Sequence, residues 1–151
     1  MRNQDGESLL RLFLAKGAPV NGFSTDPGSP LRWAPNTAIA KILLSKGATL
    51  EHTGALHAAA AIPAEADSLA LMNLYLDKGV DINELEFEGR PVTGRENFNK
   101  DHGTALHVAA EEGSVERVKL LVKRGANLKK LSKNGYTARD WAQLDNKPQT
   151  R

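Results

Sequence analysis

The chain contains no cysteine, which excludes disulfides, Cys-ligated zinc or iron–sulfur clusters and thiol catalysis. Aromatic residues are scarce, with 2 Trp, 2 Tyr and 4 Phe among 151 residues, and there are only 2 Met. So few aromatic side chains argue against a cofactor box and against a stacking platform for nucleic acid.

Long apolar runs are also missing, since none approaches the roughly 20 residues that a membrane span needs. The N-terminal segment is too short in its apolar part, and too acidic, for a signal peptide. We therefore expect no membrane association. We also expect a location inside the cell, in the cytoplasm or alternatively in the nucleus.

Motifs for catalysis are absent too. The sequence has no Gly-x-Ser-x-Gly element, no phosphate-binding glycine loop with Lys-Ser/Thr, and no His-Glu-x-x-His. His52 and His57, like His102 and His107, are spaced His-x4-His, which resembles a repeated metal site. Such lone imidazoles, without carboxylates at a known ligand spacing, make weak metal ligands. The sequence therefore predicts neither an enzyme nor a metal or cofactor site.

The overall composition is typical of one soluble folded domain, with 40% hydrophobic and 25% charged residues. The net charge of +2 hides an uneven distribution. It is +3 over residues 1–50, −8 over residues 51–112 and +7 over residues 113–151. These regions either steer a partner or offset each other across neighbouring elements. Nucleic acid is not an expected partner, because the acidic region lies beside the basic one.

One element recurs four times: an apolar helical run, a basic residue, a glycine, and then Ala or Val. The copies end at Lys16-Gly17-Ala18, Lys46-Gly47-Ala48, Lys78-Gly79-Val80 and Arg124-Gly125-Ala126. A basic residue in the last turn faces the negative end of the helix dipole, and the glycine supplies the left-handed residue that follows a helix. Each copy therefore predicts a helix that ends at its glycine.

A second element alternates with the first and marks the start of a helix. Its copies are Ser29-Pro30-Leu31-Arg32-Trp33-Ala34, Gly54-Ala55-Leu56-His57-Ala58-Ala59, Thr104-Ala105-Leu106-His107-Val108-Ala109 and Thr137-Ala138-Arg139-Asp140-Trp141-Ala142. Ser or Thr caps the helix, Pro or Ala takes its first position, and small residues let a neighbouring helix approach. Ala109 and Ala110 are expected where helices meet.

This alternation resembles the ankyrin repeat, whose signature is Thr-Pro-Leu-His-x-Ala. The resemblance extends over nearly the whole chain and is strongest over residues 103–127. It implies an all-α solenoid of stacked helix-turn-helix units with β-hairpin fingers, and His57 and His107 would hydrogen-bond between repeats. Arg32 and Asp140 depart from the signature histidine, and Gly54 departs from its threonine. We expect these departures to affect repeat packing.

Aligned on the repeat, the chain forms a single domain of about three full and two partial repeats. The segments are 5–28, 29–53, 54–102, 103–134 and 135–147. Pro35 lies close to the start of segment 29–53. The first helix of that segment should therefore be a single turn. The chain opens and closes within a repeat, so we expect either a longer polypeptide or a cover supplied by a partner or by the chain itself.

The third finger is extended, because 27 residues separate Gly79 from Leu106. Leu85 and Phe87 alternate with glutamates, which is the period of a half-buried strand. Either Leu85, Phe87 and Phe98 pack the insertion onto its own repeats, or Phe87 and Phe98 contact a partner together with Arg90 and Arg95.

The resemblance implies protein recognition by finger tips and by the exposed part of each first helix. Carried over by position, the contact residues are Lys100, Asp101, His102, Glu111, Glu112 and Arg124 around repeat four, with Lys133, Asn134 and Tyr136 on the last finger. The insertion adds Glu84, Glu86, Phe87, Arg90, Arg95 and Phe98. The alternative function is that of a spacer within a longer ankyrin array attached to an enzymatic or signalling module. We expect a monomer, with end-to-end self-association through uncapped terminal repeats as the alternative.

Overall fold

The computed structural model describes residues 2–21, 29–86, 88 and 101–144. Over these residues the chain forms seven helices and no strand. The helices are α1 (Arg2–Ala15), α2 (Thr37–Ser45), α3 (Ala55–Ala60), α4 (Glu65–Asp77), α5 (Ala105–Glu111), α6 (Val115–Lys123) and α7 (Ala138–Leu144). The predicted all-α fold is therefore confirmed.

The ends of the longer helices follow the predicted chemistry. Asn36 Oδ1 accepts the Ile39 amide at 3.0 Å to start α2, and Ser114 Oγ accepts the Arg117 amide at 3.3 Å to start α6. Each of the four recurring glycines follows a helix with φ between 89° and 95°. The next residue donates back across the helix end, as in Ala126 N to Leu121 O at 2.9 Å. This is the Schellman arrangement that favours glycine after the cap.

The helices pack in two layers. The first layer is the row α1, α2, α4 and α6, each packed on the next, and the second layer is the row α3, α5 and α7. Within a repeat α3 packs on α4, and α5 packs on α6. The core lies between the layers, and its largest fully buried apolar side chains are Leu31, Leu43, Leu56, Leu71, Met72, Tyr75 and Leu121.

Repeat two lacks a regular first helix. Residues 29–34 make one tight turn, in which the amides of Arg32 and Trp33 donate to Ser29 and Pro30 at 2.9 and 3.2 Å. Pro35 follows at once and ends the turn, as predicted. The turn still fills its place in the core, because Leu31 is fully buried and its carbonyl accepts the Tyr75 hydroxyl at 3.2 Å.

The predicted β-hairpin fingers are not confirmed, since the described residues of the connections are turns. In the last finger Ser132 N donates to Tyr136 O at 2.7 Å, and Gly135 N donates to Ser132 O at 3.0 Å. The bond between Ser132 and Tyr136 is the one that crosses this loop, and a single such bond is too little pairing for a strand. Leu85 also lies outside any strand, and Phe87 lies outside the described residues.

We expect Ala109→Leu to lower the free energy of unfolding by about 1–3 kcal/mol, because Ala109 is fully buried and three extra carbons would overpack the contact. Urea denaturation measures the change. Ala142→Leu is the matched control, since Ala142 takes the same repeat position in α7 but is exposed. Equal midpoints for Ala109→Leu and the wild type would show that the assigned register of repeat four is wrong.

Candidate functional site

Two buried histidines bond to the base of the fingers. His57 Nε2 lies 2.9 Å from the Glu84 carbonyl, and His107 Nε2 lies 2.8 Å from the Tyr136 carbonyl. Each imidazole therefore donates to the finger that follows its own helix. The His107 bond joins segment 103–134 to segment 135–147, which confirms the expected bonding between repeats, whereas Glu84 lies in the same segment as His57. Burial lowers the pKa of both side chains below the ordinary value of 6.5.

The second ring nitrogen has a different environment in the two repeats. His107 Nδ1 accepts the Thr104 backbone amide at 3.1 Å, which fixes a neutral ring that donates from Nε2. In repeat three the position of Thr104 is taken by Gly54, which has φ 69°. Among the described residues, His57 Nδ1 has no hydrogen-bond partner.

We expect stability to fall as the pH drops below 6.5. There the unfolded chain binds protons that the folded His57 and His107, with their lowered pKa values, take up only at lower pH. Urea midpoints at about pH 7.5 and about pH 5.5 measure the loss. In His107→Gln the overall stability should be lower, but the difference between the two pH values should shrink. An unchanged difference would contradict the assignment.

Arg32 replaces the signature histidine and makes a different connection. Its guanidinium donates to the Gly54 carbonyl at 3.2 Å and pairs with the Glu86 carboxylate, which lies 54 residues further along the chain. Burial alone would raise the pKa of Glu86, but Arg32 together with the neighbouring His57 and His102 outweighs it, and the pKa lies below its ordinary value. Glu86 N also donates to Gly103 O at 2.9 Å. The start of the insertion is thus bound to repeat two and to repeat four.

Four of the predicted contact residues serve these internal connections. The Glu84 carboxylate is largely buried beside His52, and Glu86 pairs with Arg32. The Asp101 carboxylate accepts the Asn134 amide at 2.8 Å and Trp141 Nε1 at 3.1 Å, and it also accepts the Ser132 hydroxyl. His102 is buried, and its carbonyl accepts Lys133 N at 2.8 Å. These residues hold the fingers in place.

The remaining described contact residues lie nearer the surface. Lys133, Asn134 and Tyr136 are exposed on the last finger, and Glu112 is exposed at the end of α5. Arg124 is exposed and pairs with Asp77 of the preceding repeat at 2.7 Å, while Glu111 is half-buried. The other predicted contacts, Phe87, Arg90, Arg95, Phe98 and Lys100, lie outside the described residues.

The sequence analysis does not name Trp33 as a contact residue, although its side chain is exposed. Trp33 is 68% exposed, and the Arg32 guanidinium lies 5.6 Å from its ring centroid. Because Arg32 is held by Gly54 and Glu86, the stacked guanidinium restrains the ring. The available signal was an aromatic residue at the variable position of the signature, directly before the proline-terminated turn.

The part of the chain that the structure describes contains no group of three or more His, Asp or Glu side chains that could hold a metal ion. None of its helices is both long and apolar enough to cross a membrane.

Two layers of helices that stack repeat upon repeat, with His57 and His107 each bonding to the finger that follows its own helix, define a helical-repeat solenoid. Residues 56–149 match the family model described as ankyrin repeats (3 copies), which is more than half of the chain, and the chain therefore belongs to the ankyrin-repeat family. Ankyrin repeats in general act in protein interaction and not in catalysis.

A similar protein is an ankyrin repeat and KH domain-containing protein of Caenorhabditis briggsae. It is 26% identical over 128 residues, which cover 80% of this chain. The chain spans only 4% of the length of that relative.

Proposed function

We propose that the chain is a non-catalytic recognition module that binds a protein partner through its fingers and its concave face, to which the exposed part of each first helix belongs. The observation that carries this proposal is the network centred on Asp101. Its carboxylate accepts from Ser132, Asn134 and Trp141, which belong to the last finger and to α7. Lys133, Asn134 and Tyr136 are therefore presented from a finger that is already ordered. Such preorganisation lowers the entropic cost of binding.

The insertion is fixed at both of its described ends. Glu86 is tied to Arg32 and to Gly103, and Asp101 is tied to the last finger. The residues between these points include Phe87, Arg90, Arg95 and Phe98, which are side-chain types that dominate binding hot spots. We include them, with Trp33, in the proposed contact surface. Glu84, Glu86, Asp101 and His102 are assigned a supporting role.

The test compares the intact chain with two variants as baits for capture from a cell lysate. In the first variant residues 89–98 are replaced by a short Gly-Ser link, which leaves the Arg32–Glu86 pair in place. The second variant is Lys133→Glu with Tyr136→Ala. Lys41→Glu is the control, because Lys41 is exposed in α2, in the other layer, and takes the repeat position of none of the predicted contact residues. Captured proteins are then purified and titrated directly against each bait.

We expect a protein that binds the intact chain and the control but binds at least one of the two variants at least tenfold more weakly. A partner that binds all four baits equally would contradict the proposed surface. Circular dichroism of each bait ensures that a loss of binding is not a loss of folding.

A second function is favoured by the comparison with the much longer relative. Because the chain spans only 4% of that protein, a segment of this kind can serve as a spacer within an extended array. A spacer would capture no specific protein on any bait, whereas a recognition module captures one. Both proposed functions are compatible with the expected location in the cytoplasm, or alternatively in the nucleus.

A further inference from the structure

The layer of first helices reaches the surface through one apolar position in each repeat. In α3 every residue except Ala58 is buried, and in α5 the same repeat position is taken by Val108, which is half-buried. Trp33 takes this position in the turn of repeat two and is 68% exposed, and the half-buried Trp141 takes it in α7. The turn is bonded to the residue before α3, α3 packs on α5, and α5 packs on α7. These four side chains therefore form a row across the layer, which we call the apolar row.

The apolar row is long enough to receive a peptide segment. Neighbouring elements of a helical layer lie about 8–10 Å apart, so the row extends over about 25–30 Å from Trp33 to Trp141. An extended chain advances about 3.3 Å per residue and would follow the row with about eight or nine residues. The middle of the row carries the small side chains Ala58 and Val108, and its two ends carry indole rings. An exposed apolar patch of this shape marks a contact surface.

The charge around the apolar row is strongly negative. Residues 51–112 carry −8, and among their described side chains there are eleven carboxylates but one lysine, Lys78, and no arginine. The two helices in the middle of the row, α3 and α5, contain no lysine or arginine. Glu111 and Glu112 follow Val108 by three and four residues, which places them on its side of α5. The row is therefore bordered by carboxylates.

The basic region that follows along the chain does not neutralise this charge. Arg117 donates to two backbone carbonyls, and Lys119 pairs with Glu116 of its own helix at 3.6 Å. Both basic residues belong to α6, which lies in the other layer. Arginines from outside residues 51–112 pair with two of the carboxylates, in Arg32–Glu86 and Arg124–Asp77. These two pairs leave most of the negative charge in place, which favours the attraction of a partner over mutual offset of the charged regions.

We propose that the partner supplies a cationic segment, rich in lysine or arginine, whose apolar side chains pack along the apolar row. This inference rests on the proposed recognition function and names the chemistry of the partner. An acidic segment would be repelled by residues 51–112, and an uncharged one would gain nothing from them. Trp33 adds a second reason, because its ring already has the Arg32 guanidinium 5.6 Å from its centroid. The large exposed part of that ring offers aromatic surface to a cation of the partner as well.

Selection of peptides from a random library displayed on phage, with the intact chain as bait, tests the proposal. The enriched peptides should carry a positive net charge and should contain apolar side chains among their basic ones. A fluorescently labelled synthetic copy of the most enriched peptide is then titrated with the chain by fluorescence anisotropy. Its affinity should fall as the salt concentration rises, because salt screens the attraction between the peptide and the carboxylates.

Two variants assign the binding to the apolar row. Trp33→Ala should weaken the binding of this peptide at least about tenfold, as expected for an aromatic hot spot. Phe13→Ala is its control, because Phe13 is 59% exposed but lies on α1 in the other layer. Glu112→Lys should weaken binding about threefold or more, and lysine suits the end of α5 because it faces the negative end of the helix dipole. Glu116→Lys makes the same change of charge on the exposed surface of α6 and should bind like the wild type.

Enrichment of acidic or uncharged peptides, or no enrichment at all, would overturn the proposal. It would also be overturned if the basic peptide bound Trp33→Ala as tightly as the wild type, or if Glu116→Lys weakened binding as much as Glu112→Lys. The failure of this proposal differs from the failure of the recognition function. A protein captured from a lysate through the last finger, with no dependence on Trp33, would support recognition and reject the cationic segment. Circular dichroism checks that each variant is folded.

Discussion

Replacing Arg117 by methionine should lower the free energy of unfolding by about 2–4 kcal/mol. Arg117 is a buried side chain near the start of α6, and its guanidinium donates from Nη1 to Ala60 O at 2.7 Å and from Nη2 to Ile62 O at 2.5 Å. Both carbonyls lie at the end of α3, where the helix leaves its last acceptors unpaired and its dipole is negative. Methionine keeps most of the volume but removes both donors.

Lys119→Met is the matched control for this experiment. Lys119 lies two residues away on the same helix, but its side chain is exposed and pairs only loosely with Glu116, at 3.6 Å. Its loss should change stability by no more than about 0.5 kcal/mol. Urea denaturation followed by circular dichroism measures both variants. Equal midpoints for the two variants would show that the two Arg117 bonds contribute nothing net to stability.

The position of Arg117 could not be read from the sequence. In the sequence Arg117 is one of ten basic residues in the region 113–151. Its acceptors lie 57 and 55 residues earlier, at the last residue of α3 and two residues after it. The repeat motifs do not reveal which side chain of the next repeat satisfies these carbonyls.

Features with a short-range cause were predictable. The four glycines end helices because a left-handed residue is required there, and Pro35 limits repeat two to one turn. The bonds of His57 and His107 to the following fingers came from the resemblance, because both stand at the signature position. In each of these cases the sequence carries the cause within a few residues, or within one repeat length.

The contact surface was harder to predict because finger residues can point inward as well as outward. Glu84, Glu86 and Asp101 have the composition of a solvated loop, yet their carboxylates face His52, Arg32 and the last finger. The Arg32–Glu86 pair depends on two departures at once, an arginine in place of the signature histidine and an extended finger. Neither departure alone identifies its partner.

Adding one methyl group at residue 103, by Gly103→Ala, should lower the free energy of unfolding by about as much as Arg117→Met does. Gly103 is buried at the base of the third finger, and a Cβ there would lie 2.5 Å from both Cβ and Cγ of His107. Those atoms are close to the backbone, so His107 cannot swing aside without moving α5. The His107 bonds to Tyr136 O and Thr104 N would be distorted, and so would the bond from Glu86 N to Gly103 O.

We therefore expect Gly103→Ala to lower the free energy of unfolding by about 2–4 kcal/mol, from steric overlap together with weakened buried hydrogen bonds. Gly6→Ala makes the same chemical change in α1, where no atom lies within 4 Å of the new methyl group. There alanine should be neutral or stabilise by up to about 1 kcal/mol, because glycine is the weaker helix former. If Gly103→Ala were as stable as Gly6→Ala, the result would contradict the close packing of the third finger against His107. The finger surface assigned to partner binding would then lose its rigid base, because Gly103 joins the finger to the histidine that bonds repeat four to the last finger.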